Sequence, residues 1–169
     1  SSTISIEQRV WSEDHFGKFL VATYNGGAVY QFDPTQNQPW PRAVVVDASA
    51  PTDCRALFVT PERFVVALGI NGNSMQMAWC DQSNYTVWTS LPSNTANSGR
   101  TIVGGSYLVG GIAIRDGVSL FFSDRCAFEM SYTGNNFIYI IFSRTYRYDH
   151  KLIPADAGND IRVPEGSFE

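Results

Sequence analysis

The sequence predicts an all-β fold made of antiparallel hairpins that recur along the chain. No window holds apolar residues at i, i+3, i+4 and i+7 over three turns, and the best helical candidate, Pro51–Leu57, is too short. Turn signals recur throughout, at Asn25-Gly26-Gly27, Asp33-Pro34, Asn71-Gly72-Asn73, Gly104-Gly105, Gly110-Gly111, Asp116-Gly117 and Gly134-Asn135-Asn136. Asn-Gly and Asp-Gly supply the positive φ angles that tight hairpins require. Finally, one plan appears three times: an apolar run, a break, then a second run carrying an aromatic. The first runs begin at Phe19, Phe64 and Val118, and the second at Val29, Met77 and Phe128, a spacing of about 50 residues. Short strands at a period of roughly 40–50 residues are the signature of propeller blades. The expected fold is therefore β-propeller-like, either partial or completed by other subunits. Such a pattern favours a structural or binding module over a catalytic domain.

In chain order, Phe19–Thr23 and Val29–Asp33 form the first pair of runs. Arg55–Thr60 and Phe64–Ile70 make a hairpin whose turn opens at Pro61. Met77–Asp81 follows, then Ser90–Arg100, rich in Ser, Asn and Thr, which reads as an exposed loop. Leu108–Ile114 and Val118–Phe122 flank Arg115-Asp116-Gly117 as a second clear hairpin. These segments place about three to four blade-like repeats in a domain over 1–153. The stretch 154–169, with Pro154, Pro164 and four acids, reads as an extended tail on the surface or toward a partner.

Composition narrows the function. A chain of 169 residues suits one domain with a real core. An aromatic share of 14% suits strands. With 17% charged residues and a net charge of −4, nothing resembles a basic nucleic-acid-binding domain. The longest apolar runs, Phe64–Ile70 and Phe137–Phe142, are strand-sized and too short for a membrane helix. Ser1–Ile6 lacks the basic region and apolar core of a secretory signal. Cys54, Cys80 and Cys126 have no metal-ligand spacing and are expected to be reduced thiols in the interior, a disulfide or reactive thiol being the alternative.

Candidate chemistry is sparse. An aromatic precedes an Asp at several run ends, at Phe32-Asp33, Trp79-Cys80-Asp81 and Phe122-Ser123-Asp124. An Asp leaving a strand accepts N–H bonds from the next residues and fixes the turn, so capping is expected before a calcium site or carboxylate array. Ser12, Asp14 and His15 are triad types, but strand neighbours point to opposite faces and cannot relay a proton. Ser106 follows Gly104-Gly105 yet precedes a strand run, so it is no nucleophile elbow. Glu62, Asp81, Asp116, Asp124 and Glu129 are available as carboxylates, but sequence pairs none for glycoside hydrolysis. Trp40, Trp79, Trp88, Tyr85 and Tyr107 suit either packing or stacking on sugars. Arg144, Arg147, His150 and Lys151 form the densest cationic cluster, a solvated face or a contact to DNA or an acidic neighbour. No catalytic residue, cofactor site or metal site is expected.

Several segments together resemble tail nozzle proteins (tail hub, packaged-DNA stabilisation) of short-tailed bacteriophages. The resemblance rests on Trp11–Asp33, Val59–Gly69, Trp79–Thr89, Ile102–Gly105, Gly111–Gly117 and Met130–Gly134, within roughly Val10 to Phe142. It implies a non-enzymatic virion component bearing a β-propeller. That component would sit as a homo-oligomeric ring below the portal and adaptor and help close the DNA channel. The implied partners are adaptor, tail fibres or spikes, with transient contact to double-stranded DNA. Members of that family are several times longer, so the chain reads as a piece of one or as a reduced relative completed by other subunits. The alternative is a carbohydrate-binding propeller or sandwich, which would display its Trp and Tyr side chains in a concave site.

Overall fold

Pairing of successive strands divides the chain into three units. The computed structural model describes residues 10–36, 39 and 41–134, together with the backbone of a last strand over Tyr139–Arg144. Among the described residues there are twelve strands and no helix. The first sheet holds β1 (Trp11–Phe16), β2 (Phe19–Tyr24), β3 (Tyr30–Phe32) and β4 (Val44–Val45). The second holds β5 (Ala56–Val59), β6 (Val65–Ile70), β7 (Asn73–Trp79) and β8 (Asn97–Thr101). The third holds β9 (Leu108–Arg115), β10 (Val118–Ser123), β11 (Ala127–Tyr132) and β12 (Tyr139–Arg144). Each sheet takes its strands in chain order and pairs every neighbour antiparallel.

Local chemistry explains the hairpins. Asn71 and Gly72 alone separate β6 from β7 and take φ of +54° and +73°. Two successive positive φ angles are what a two-residue hairpin with the twist of its strands needs. Gly117 takes φ +77° where β9 turns into β10, and the register sets Val118 opposite Arg115. The expected hairpins across Pro61–Arg63 and Asp116-Gly117 are both present.

The middle sheet is covered on both faces. Leu57, Val65, Ala67 and Ala78 point toward the first sheet and pack with Val21 and Phe16. Phe58, Val66, Leu68 and Met77 point the other way and pack with Phe121 and Phe128 of the third. Burying a Leu- or Phe-sized side chain contributes about 1.5–3 kcal/mol, so these two seams hold the three sheets together.

The first strands of the sheets lie beside one another, β1 next to β5 and β5 next to β9. At the first junction side chains replace a ladder. Ser12 Oγ donates to the Leu57 carbonyl at 2.9 Å and accepts from the Leu57 N–H at 3.1 Å. Asp14 Oδ2 accepts from the Val59 N–H at 2.7 Å. Sheet edges present N–H and C=O groups that need partners, and β1 supplies them for β5. At the second junction the enabling residue is Gly111 of β9. A Cβ there would lie 2.5 Å from the Phe58 ring, so only glycine lets β9 come this close.

Ser90–Arg100 differs from its expected loop. Its last four residues belong to β8, which pairs with β7. This strand is polar and largely exposed at a sheet edge, so it lacks the apolar alternation that marks a strand in sequence. The expected tail, 154–169, lies outside the described residues.

Candidate functional site

Ser12, Asp14 and Glu62, three of the side chains with catalytic potential, make structural bonds. Ser12 and Asp14 face the second sheet, as described, while His15 is exposed on the opposite side of β1. Asp14 Oδ1 also accepts from the His15 N–H, a local backbone contact and not an imidazole contact. Glu62 Oε1 accepts from the Gly117 N–H at 2.6 Å, tying the β5–β6 turn to the β9–β10 turn. Arg63, beside it, lies with its guanidinium 5.0 Å from the Phe16 ring, at the turn of the first sheet. Ser106 donates its N–H to Asp124 Oδ1 at 2.6 Å.

The aspartates hold loops, but two of them do so differently from expectation. Asp33 accepts from both the N–H and the hydroxyl of Thr35, a local turn of the kind foreseen. Asp81 instead accepts from the N–H and hydroxyl of Thr95, pinning the far end of the long β7–β8 connection. Asp124 reaches back to Ser106 and Tyr107 ahead of β9. These are cross-ties between segments distant in sequence, which strand-end position alone does not reveal.

Their electrostatics follow from those bonds. The Thr35 hydroxyl and N–H hold the Asp33 carboxyl below its ordinary value. The Ser49 N–H and hydroxyl do the same for Asp47, and the Ser106 N–H for Asp124. At Asp81 desolvation raises the value, and the Thr95 and Gln82 donors outweigh it, leaving it low. A carboxylate held low is a fixed anion with no proton to give near neutrality. Burial pushes the Cys54 and Cys80 thiols up to about 12. All three cysteines are free, with Cys54 and Cys80 buried and Cys126 half-buried.

Most of the noted aromatics serve packing. Trp79 and Trp88 are buried, each donating its indole N–H to a carbonyl, of Thr95 and Tyr85 respectively. Tyr85 packs against Phe16 with ring centres 4.9 Å apart. Tyr107 lies under the Arg55 guanidinium at 4.7 Å. Trp40 lies outside the described residues. So do Arg147, His150 and Lys151 of the cationic cluster; Arg144 ends β12, its backbone opposite Ala127.

Two further groups of apolar side chains lie on the outer faces of the first and third sheets. On the first sheet, Trp11, Tyr24 and Tyr30 cluster on the side away from the second sheet. The Trp11 and Tyr24 centres lie 5.2 Å apart, and Trp11 is 54% exposed. On the third sheet, Ile112, Leu120 and Phe122 share the outer face, with Ile112 58% and Phe122 38% exposed. The register sets Ile112 opposite Leu120, which fixes them on one side. Sequence reasoning missed both faces. The signal for the second was the apolar set Val118, Leu120 and Phe122 alternating with Ser119, Phe121 and Ser123.

Among the described residues no group of three or more His, Cys, Asp or Glu is placed to hold a metal ion. Nor is any helix among them long and apolar enough to cross a membrane. Comparison with protein-family models, curated proteins and solved structures finds no match to the chain.

Proposed function

We propose that the chain is a non-enzymatic structural element of a phage tail, a set of propeller blades within a nozzle or hub ring around the DNA channel. The observation that carries this reading is the stack itself: three four-stranded meanders with their first strands side by side. A propeller sets its blades around an axis in this way, and three sheets are fewer than the roughly four to eight blades of a closed one. The use of Ser12, Asp14, Glu62, Asp81 and Asp124 in backbone ties supports a structural rather than catalytic role. In this reading the partners are copies of the chain, an adaptor, and fibres or spikes, with passing contact to double-stranded DNA. Its location is the virion tail.

One observation favours a second reading. The exposed Trp11, with Tyr24 and Tyr30 beside it, offers rings of the kind that stack on sugars, as a glycan-binding module would. Two experiments separate the readings. Gold-labelled antibody against the chain should decorate the tail end of short-tailed particles, and particles without label would overturn the first reading. Binding on a glycan array that disappears in Trp11→Ala would establish the second.

A further inference from the structure

Two Asn-Gly pairs turn corners in this chain, and one short segment holds both. Asn71-Gly72 joins β6 to β7 with φ of +54° and +73°. Asn25-Gly26 follows β2, with Gly26 at φ +82°. All four residues are exposed, and a Cβ on Gly26 or Gly72 would meet nothing within 4 Å, so water reaches both turns. The Gly26 N–H donates to the Cys54 carbonyl at 2.7 Å. The Gly72 N–H donates to Asp53 Oδ2 at 3.1 Å, and the Asn71 N–H to the Asp53 carbonyl at 3.2 Å. Asp53 and Cys54, just ahead of β5, thus hold one turn each.

An asparagine before glycine is open to attack by the next main-chain nitrogen, because glycine puts no side chain in the way. In that reaction the Gly72 nitrogen gives up its proton and bonds to Asn71 Cγ. The Cγ–Nδ2 bond breaks, and ammonia leaves with the proton. Water then opens the five-membered imide at either carbonyl, giving aspartate or an isoaspartate whose main chain runs through the side chain. Either product adds a negative charge to a turn already bonded to the Asp53 carboxylate. Isoaspartate also lengthens a two-residue turn whose register sets Ile70 opposite Asn73.

Ring closure requires the Gly72 nitrogen to swing toward the Asn71 side chain with its proton free to leave. A hydrogen bond to a carboxylate is stronger than one between neutral groups, and here it holds both the nitrogen and the proton in the hairpin. At Gly26 the matching bond goes to a main-chain carbonyl beside the Gly27–Cys54 bridge, where no side chain controls it.

We propose that Asn71 is a latent deamidation site, kept intact in the folded chain by the Asp53 carboxylate. Asn25, held by main chain alone, is the internal reference.

Peptide mass spectrometry of the full chain, aged in mildly alkaline buffer, reads the replacement of amide by acid at Asn71 and Asn25 separately. In guanidinium both sites should convert readily, and in the folded wild type both should convert several-fold more slowly. Asp53→Ala should speed Asn71 several-fold and leave Asn25 slow. Asn71 converting in the folded wild type as fast as in guanidinium would overturn the proposal. So would a folded Asp53→Ala chain in which Asn71 is unchanged, or in which both sites speed up alike, since that is general loosening and not release of one turn. Circular dichroism and a cooperative melt establish that the variant is folded. Asp53→Ser, whose hydroxyl is one bond shorter than the carboxylate, takes its place if the alanine chain does not fold.

Discussion

β6 and β10 are each the second strand of a four-stranded sheet, yet all six residues of β6 are buried and β10 is buried only at alternate positions. The difference is one of neighbours. β6 has a sheet on either side, and its sequence, Val65 to Ile70, is apolar throughout, as suits a strand covered twice. Among the described sheets β10 has a neighbour on one side only, and its outer residues Val118, Leu120 and Phe122 are half-buried or exposed. Burial in this molecule is set by the stack: β11, too, buries Phe128 and Met130 on its inner side and sets Glu129 and Ser131 on the outer one. Phe58 and Phe122 make the same point residue by residue. Phe58 is 2% exposed against Gly111, while Phe122 is 38% exposed.

The largest expected effect breaks the covered side of this comparison. Phe58→Ala should destabilise by about 3–5 kcal/mol, since it opens a cavity at the seam between the second and third sheets. Urea unfolding at a concentration where the chain is single would read it. Under the same conditions Phe122→Ala should cost less than about 1 kcal/mol, because little burial is lost. Equal costs would mean that the two faces are equally covered within one chain.

Gly111→Val comes next. Its Cβ would lie 2.5 Å from the Phe58 ring, and overpacking of this kind costs about 1–3 kcal/mol. Because the two residues touch, Phe58→Ala in the same chain should reduce that cost, and a double-mutant cycle would expose the coupling. Strict additivity would contradict the close approach of β9 to β5.

A smaller effect concerns acid. Asp33, Asp47, Asp81 and Asp124 are all held below their ordinary values by hydrogen bonds to the charged form. A carboxyl lowered by folding adds stability above its unfolded value, near 4, and loses it as pH falls through the lowered folded value. The melting temperature should therefore hold from pH 7 to about 5 and decline below about 4. Asp124→Asn should flatten part of that decline, and an unchanged slope would remove Asp124 from the account. The smallest effect is chemical. Cys54 and Cys80, buried and pushed up to about 12, should resist alkylation at pH 8 until the chain is unfolded, with half-buried Cys126 reacting first.

How far the sequence reveals this arrangement depends on which part of a sheet is read. The three recurring run pairs correspond to β2–β3, β6–β7 and β10–β11, the middle strands of each sheet, where apolar packing leaves a clear pattern. The outer strands are harder. β8, Asn97–Thr101, is an exposed polar edge with no apolar rhythm, and β4 is only two residues long. β1 carries Ser12 and Asp14 because its side chains satisfy the neighbouring edge, so its polarity reads as loop rather than strand. The ties from Asp81 to Thr95 and from Asp124 to Ser106 needed the fold to bring their ends together. The outer face of β10 was legible in the alternation of Val118, Leu120 and Phe122, since period-two spacing fixes which residues share a side.

The most direct test of the comparison between β6 and β10 is hydroxyl-radical footprinting of the wild type, with Phe58 and Phe122 as reporters. Phe58 is 2% exposed in the seam between the second and third sheets, and Phe122 is 38% exposed on the outer side of β10. The account predicts that Phe122 is labelled several-fold faster than Phe58. Equal labelling of the two would contradict it.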